Sequence, residues 1–575
     1  MKNTRTTVLF LAVLLGSPVA AQVTRPVSVN SAGDFANQTC DWAKISSDGR
    51  YVVFETDATN LVAGDTENDT DVFVRDLLAG TTEIVSLNSS GVFGNGDSSA
   101  ASISADGRYV AFRSRATNLI PIDEYLYEDV FVRDRVTGTT EKVNLKSTGG
   151  QTVSGDSSGP SISADGRHVA FESFASDLVV GDTNGQRDIF VRDRIAGTTE
   201  RVSVSSAGVQ GNGWSFGARI SADGRFVAFT SLAGNLVPGD PTDKGAFVHD
   251  RVTGETERVS LASDGSPAPT ISSMDAISAD GRFVLFTSSA SNLVANDTNL
   301  RIDAFLRDRL SGTTRRMSVN TGEGEANQHT FSTAISDDGR FVVMQGRATN
   351  LVPGDTNVRI DVFVRDRLNN TTERESLDSA GAQGNGTCNY GTISADGRWV
   401  AFASGSTNLV PGDTNGRGQI YVRDLASTSF SIMCDPGVGG VTPCPCANPA
   451  GGPSRGCDNS SATGGAALNA SGVTELSADS LVFTTSGEKP TALSIVLQGT
   501  VFEADGIVYG QGIRCVGGSL KRLYAKSAVA GSITAPDFGA GDQSVSARSA
   551  AKGDVIQPGQ PRWYMVYYRD NTVLG

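Results

Sequence analysis

Apolar and polar positions along this chain alternate in short bursts, and no stretch carries a helical period. In Ser102-Ile-Ser-Ala-Asp-Gly-Arg-Tyr-Val-Ala-Phe112 two such bursts flank an Asp-Gly-Arg turn, and the pattern recurs seven times. The Asp of the turn falls at Asp48, Asp106, Asp165, Asp223, Asp280, Asp338 and Asp396, with spacings of 58, 59, 58, 57, 58 and 58 residues. A period that regular signals a repeat architecture.

One unit, the third, shows the predicted elements. Ser161-Ile162-Ser163 is a short strand, Asp165-Gly166 a tight turn, and His168 to Glu172 a second strand. A loop from Ala175 to Gly185 leads to a third strand, Asp188 to Asp193. Ala196-Gly197 turns the chain into a fourth, Glu200 to Val204, and a Gly/Asn-rich loop through Gly213 opens the next unit. Segments rich in Val, Ile and Phe, bounded by Gly, Asp and Asn, read as antiparallel strands and hairpins. The predicted fold is all-β: a seven-bladed β-propeller of four-stranded blades, in which stacking buries both faces of each sheet. A parallel β-helix is the alternative, but its repeats are shorter and lack the hairpin pattern.

The ends of the ring are also legible. Pro26-Val-Ser-Val-Asn-Ser31 matches the fourth-strand segment Arg201-Val-Ser-Val-Ser-Ser206, yet it precedes the first Asp-Gly-Arg. It is therefore expected to complete blade seven, with Ser429 to Met433 as the competing segment. Cys40 and Cys388 each lie eight residues before their turn Asp, where the other blades carry Ser98, Ser157, Ser215, Ser272 and Thr330. A ring makes blades one and seven neighbours, so a Cys40–Cys388 disulfide is a candidate latch. It would close a loop of roughly 350 residues for a few kcal/mol, provided the Cα atoms lie within about 7 Å.

Length and composition add the remaining domains. Lys2 and Arg5, the apolar run Val8 to Leu15 and the small residues Val19-Ala-Ala21 read as a signal peptide, residues 1–21; the run is far short of the ~20 residues of a membrane span. The mature chain is thus expected to be exported, soluble and a monomer. Without Lys2 and Arg5 the formal charge passes from −15 to −17, which disfavours nucleic acid and anionic membranes and suits divalent cations or basic partners. Residues 22–433 form the predicted propeller and 434–460 a Cys/Gly/Pro-rich linker, with Cys434, Cys444, Cys446 and Cys457. Residues 461–575 return to strand-like segments, read as a β-sandwich that includes Leu481-Val-Phe-Thr, Leu493 to Leu497, Lys521 to Tyr524 and Trp563 to Tyr568. Seven cysteines in an exported chain are first read as disulfide formers, with one left over.

The Ile-Ser-Ala-Asp-Gly-Arg-x-Val-Ala-Phe element resembles the repeat of TolB-type, WD-like β-propellers of exported bacterial proteins, over Pro26 to about Met433. The tail, with Cys444-Pro-Cys446, Gly456-Cys457, Asn459-Ser460 and Arg514-Cys515-x-Gly-Gly518, resembles a small β-sandwich module that follows repeat domains. The resemblance implies a periplasmic, surface or extracellular scaffold that binds a protein or glycan at a propeller face, and says little of chemistry. Departures are Ile-Ser-Ser-Asp in blade one and Ile-Ser-Asp-Asp in blade six.

No catalytic set emerges from the residue pattern. His168 and His249 replace residues at structural strand positions and His329 sits in a loop, so their spacing gives neither a zinc site nor a Ser-His-Asp arrangement. Arg108 and Asp134, like their counterparts in other blades, read as recurrent ion pairs or turn anchors. A propeller hydrolase or lyase acting on polysaccharide or peptide is the alternative function; it requires a non-repeating cluster of charged or histidine side chains at one end of the channel, whereas a scaffold shows near-sevenfold rings. The candidate metal ligands lie in the loop after the second strand: Asp65, Glu67 and Asp71 in blade one; Asp182, Asn184 and Asp188 in blade three; Asp297, Asn299 and Asp303 in blade five; Asp355, Asn357 and Asp361 in blade six. Oxygens so spaced suit calcium at the weak extracellular range of roughly 10⁻⁴–10⁻³ M. Asx-turns without a metal are the competing explanation.

Overall fold

The computed structural model describes residues 22–425, apart from 124, 241, 243 and 414, together with shorter stretches between 467 and 569. The expected signal peptide, the linker, its four cysteines and the segment Ser429 to Met433 lie outside the described residues.

Gln22–Leu425 is one compact unit built from seven four-stranded antiparallel sheets. Blade one runs outward through Cys40–Ile45, Tyr51–Thr56, Asp71–Asp76 and Thr81–Ile84. In blade three the strands are Ser157–Ile162, His168–Ser173, Asp188–Asp193 and Thr198–Arg201. The innermost strand thus starts four residues earlier than the Ile-Ser signal suggests. Its opening Ser-Ser-Gly-Pro carries little β-propensity, but pairing with the second strand holds it across a β-bulge between Ser158 and Ser161.

Each middle hairpin is buried on both faces, which explains its near-continuous Val, Ala and Phe. Val110, Ala111, Phe112, Val130, Phe131 and Val132 are fully buried, and Val53, Val72 and Val74 of blade one pack against Val110, Phe112 and Phe131 of blade two. Stability therefore resides between blades. The Asp-Gly-Arg turn serves the same junctions. Its Arg pairs with the Asp closing the third strand, as in Arg108 Nη2–Asp134 Oδ2 at 2.7 Å, and equivalent pairs stand in all seven blades. Its Gly, at positive φ, receives the aromatic ring that follows the turn in the preceding blade: Tyr51 lies on Gly107, Tyr109 on Gly166 and Phe226 on Gly281. No Cβ fits there, so the glycine answers both to conformation and to contact.

Blade seven consists of Cys388–Ile393, Trp399–Ser404, Gln419–Asp424 and, as its outer strand, Thr24–Pro26. Pro26 pairs with Tyr421 as Arg201 pairs with Phe190 in blade three. The N-terminal segment thus joins the two ends of the ring in the register that its sequence match implies, although the strand is Thr24–Pro26, so that only Pro26 of the expected Pro26 to Ser31 lies in it. Thr24 Oγ1 donates to Leu377 O (2.6 Å), the contact that Thr372 Oγ1 makes with Val319 O one blade earlier (2.6 Å).

The expected Cys40–Cys388 bridge is not formed: both are free, buried thiols. They belong to different inter-blade cores. Each replaces a serine that hydrogen-bonds across its own hairpin, as Ser98 does with Ser114 (2.8 Å). Cys388 Sγ accordingly lies 3.1 Å from Ser404 Oγ, and Cys40 pairs in the ladder with Thr56. The register match thus reflects a within-blade polar pair.

Beyond the propeller, Ala467–Ser471, Val482–Ser486 and Thr534–Ala535 form one antiparallel sheet, and Leu493–Gly499 lies between Lys521–Ser527 and Trp563–Arg569 in another. Val501–Tyr509 and Gly512–Gly517 form a hairpin. These small sheets, rather than a defined two-layer sandwich, are what the described residues show. A short helix, Val545–Ala551, capped by Ser544, had no periodic signal in the sequence.

Candidate functional site

The acidic loops expected to hold calcium are in most blades answered by the protein's own cation. In blade three Arg201 Nη1 lies 3.0 Å from Asp182 and 3.4 Å from Asp188. Lys142 does the same for Asp123 and Asp129 (3.0 and 2.7 Å), Arg258 for Asp240 (2.7 Å), Arg316 for Asp297 (3.2 Å) and Arg374 for Asp355 (3.4 Å) and, more distantly, Asp361 (3.9 Å). The asparagines turn their amide nitrogens inward: Asn184 and Asn299 donate to Asp188 and Asp303 at 2.8 Å. Their carbonyl oxygens accept from the backbone two residues on, as does that of Asn357, which is the Asx-turn geometry. A metal would have to displace a guanidinium or ammonium, so the loops of blades two to six do not fit one. The missed signal was the basic residue thirteen positions after the start of the third strand.

Blade one departs from this rule. Ile84 stands where the basic residue belongs, and Asp65 and Asp71 are buried with Glu67 and Asp69 nearby. Burial and these neighbouring carboxylates push the Asp71 carboxyl up to about 7, with the Ser86 hydroxyl donating to one oxygen. Among the described residues, no group of three or more His, Cys, Asp and Glu side chains stands close enough together to hold a metal ion. Blade seven departs differently: Asp413 accepts from the Tyr421 hydroxyl, which replaces a Phe.

The histidines are structural. His168 takes the aromatic position against Gly224. His249 Nδ1 lies 2.8 Å from Thr256 Oγ1 in the interior. His329 Nδ1 accepts the Ile302 N–H at 2.9 Å, a role played in blade two by Asp97, which accepts from Thr70 N.

The asymmetric part of the ring is its channel, bordered by the innermost strands. Lys44, Arg219 and Asp275 lie on these strands in blades one, four and five, each only half-buried although set deep in the ring. No other blade repeats them: Ser102 and Ser161 stand at the position of Lys44 and Arg219. Arg219 Nε donates to Asp275 O (2.9 Å), and Thr287 and Ser332 hydroxyls donate to Asp275 Oδ2. Burial raises Asp275 to about 6 and, with Arg219 opposing its charge, lowers Lys44 to about 8.

Aromatic side chains gather where the innermost strands begin. The bulge residues Trp42 of blade one and Tyr390 of blade seven stack at 4.2 Å and 25°. Both adopt positive φ, 55° and 56°, where blades three and four use Gly159 and Gly217. A bulky residue in that conformation is an outlier of the kind that concentrates at functional sites. Trp42 is also 51% exposed. Between blades three and four, Phe174 and Trp214 meet edge to face at 5.9 Å beneath the Arg187 guanidinium, itself held by Glu172 at 3.2 Å. Phe331 is exposed on the innermost strand of blade six. The sequence signal for Trp42 and Tyr390 is their departure from Ala100, Gly159 and Gly217 at equivalent positions, and for Trp214 its departure from Asp97 and Asp156; a pattern of charged and histidine side chains does not reveal it.

No family model matches the chain, and no curated protein matches it. Among solved structures it is similar to TolB from Acinetobacter baumannii, with 17% identity over 57% of this chain and 63% of that one, just under two thirds, and a TM-score of 0.33. It is also similar to an oligogalacturonate lyase in complex with manganese, with 14% identity over 72% of this chain and 100% of that one and a TM-score of 0.41. A third is the β-propeller domain of the Trilobed protease from Pyrococcus furiosus, described as having an open velcro topology, with 11% identity over 67% and 95% and a TM-score of 0.40. What defines this chain's class is its own seven closed blades.

Proposed function

We propose that the protein is an exported, non-enzymatic binding scaffold of the TolB-like propeller type, and that it takes a protein or glycan ligand at the channel mouth where the innermost strands begin. The supporting observation is the contrast between the two ends of those strands. At the Asp-Gly-Arg end every blade repeats the same ion pair and aromatic-on-glycine contact. At the other end the residues vary from blade to blade: exposed Trp42 and its equivalent Tyr390 stand where blades three and four have Gly159 and Gly217, and exposed Trp214 stands where blades two and three have Asp97 and Asp156. Loop faces of a rigid scaffold are where binding residues diverge. Screening the full chain against peptide and glycan arrays tests the reading: ligands should lose binding with Trp42→Ala and Trp214→Ala and keep it with Leu310→Ser, an exposed residue beyond the Asp308 turn. Ligands indifferent to both tryptophan substitutions would overturn it.

A second reading, a hydrolase or lyase of polysaccharide or peptide, is favoured by one observation. Lys44 and Asp275 form part of a non-repeating charged set in the channel with pKa values displaced toward neutrality, as general acid–base groups require. Turnover of an array-identified ligand, lost in Lys44→Met and Asp275→Asn, would establish it. Calcium is proposed for blade one, where Asp65, Glu67 and Asp71 lack the internal cation of blades two to six.

A further inference from the structure

The channel mouth holds an aromatic pair that already carries a cation and another that does not. Between blades three and four the Phe174–Trp214 pair is covered by Arg187, whose Cζ lies 4.7 Å from the Phe174 ring and 6.0 Å from that of Trp214. Glu172 anchors that guanidinium. Blade one repeats the carboxylate as Glu55 but has Thr70 at the position of Arg187. It adds Asp41 where blade three has Ser158, and Asp57 where blade three has Phe174. Asp41 and Glu55 lie directly opposite each other in the ladder, and like charges so placed cost stability.

The charges around these carboxylates do not neutralise the outer pair. Glu55 accepts the Ala101 N–H of blade two at 3.1 Å and feels Arg113, which is itself paired with Glu128 at 3.1 Å. Lys44, deeper in the channel, interacts with Glu55 and Asp275. Among the described residues, Asp57 accepts only from Thr70 Oγ1 (2.7 Å). Among the described residues, the Asp41 carboxylate has no hydrogen-bond donor and no counter-ion; its charged neighbours, Asp57 and Glu55, are both acids. Beside it stand Trp42, half exposed, and Tyr390, stacked on each other.

We propose that the Trp42–Tyr390 pair and the carboxylates of Asp41 and Asp57 form a receptor for a guanidinium or ammonium group on a basic peptide segment of a partner protein. An aromatic face with adjacent carboxylates suits an organic cation, and Arg187 shows the same combination satisfied within this chain. The formal charge of −15 favours a basic partner at longer range. The inference rests on the binding reading of the mouth and deepens it by naming the ligand's chemistry.

The test titrates the full chain with acetyl-Gly-Arg-Gly-amide, its Lys and Gln counterparts, and methylguanidinium, read by calorimetry and indole fluorescence. The Arg and Lys peptides should bind saturably, more tightly than methylguanidinium, and the Gln peptide should not bind up to about 10 mM. Asp41→Asn should weaken the Arg peptide roughly tenfold without lowering the melting temperature, since it relieves the charge opposite Glu55, and Trp42→Ala should abolish the fluorescence change. Glu255→Gln, the same change of charge at a remote exposed turn, should leave binding intact. Equal binding of Arg and Gln peptides, absence of any binding, or equal weakening by Glu255→Gln would overturn the proposal. Methylguanidinium binding as tightly as the peptide would overturn the peptide as occupant. Array ligands that need Trp42 but carry no cation would sink this inference while leaving the binding reading in place.

Discussion

The indole of Trp399 in blade seven lies on Gly49 of blade one so closely that a Cβ on Gly49 would stand 2.3 Å from Trp399 Cδ1. This is the seventh of the aromatic-on-glycine contacts and the one that shuts the ring. Gly49 also has φ of +72°, so Gly49→Ala combines left-handed strain with a steric clash. It should cost about 2–4 kcal/mol. Gly91→Ala, at φ +79° with nothing within 4 Å, carries only the strain, about 1 kcal/mol. Denaturant midpoints compare the two; equal losses would mean that the junction is not packed as described.

The N-terminal strand should contribute to blade seven as a native outer strand does. Thr24→Val removes the hydroxyl that donates to Leu377 O and accepts from Arg423 Nη1 (2.9 Å). Thr372→Val removes the corresponding contact with Val319 O one blade earlier. Each should lower stability by about 1–2 kcal/mol. A neutral Thr24→Val beside a costly Thr372→Val, in the same unfolding assay, would show that the seam is not built in.

Asp71 should make stability fall as pH rises. Its native carboxyl is raised to about 7 by burial and nearby acids, above the unfolded value of about 3.9. Between those limits the native state holds a proton that the unfolded state has released, so the stabilisation is complete below pH 4 and lost through pH 7. Asp71→Asn keeps an acceptor for Ser86 and lacks the titration. Measured in chelator, the variant should gain on the native protein progressively from pH 4 to 8, by up to a few kcal/mol. A difference independent of pH contradicts the assignment.

Calcium in excess should raise the unfolding midpoint relative to chelator, and Asp65→Asn with Asp71→Asn should remove the shift. Asp182→Asn should not remove it, since Arg201 already answers that loop. Thermal unfolding reads all three, and an unchanged midpoint in the native protein would eliminate the metal.

The repeats were legible because each position does one job seven times. Val, Ala and Phe fill inter-blade cores, Arg108 and its equivalents bind the third-strand Asp, and Pro26 to Ser31 carries the register of an outer strand. The same logic misled where a residue was read without its partner. Cys40 and Cys388 share a register because that position pairs across a hairpin, with Thr56 and Ser404. Asp182 and Asp188 resemble metal ligands until Arg201, distant along the chain, is brought alongside by the fourth strand. Trp42 and Tyr390 share a repeat position that the other blades do not fill with an aromatic, and only the ring sets their blades side by side.

On the proposed function, ligand recognition belongs to the mouth bordered by Trp42 and structure to the Asp-Gly-Arg face. Hydroxyl-radical footprinting of the full chain with an array-identified ligand tests this most directly. Trp42 and Trp214 should be protected, while exposed Val136 and Leu310 at the turns of the opposite end are unchanged. Protection of Val136 and Leu310 with Trp42 still freely oxidised would contradict it.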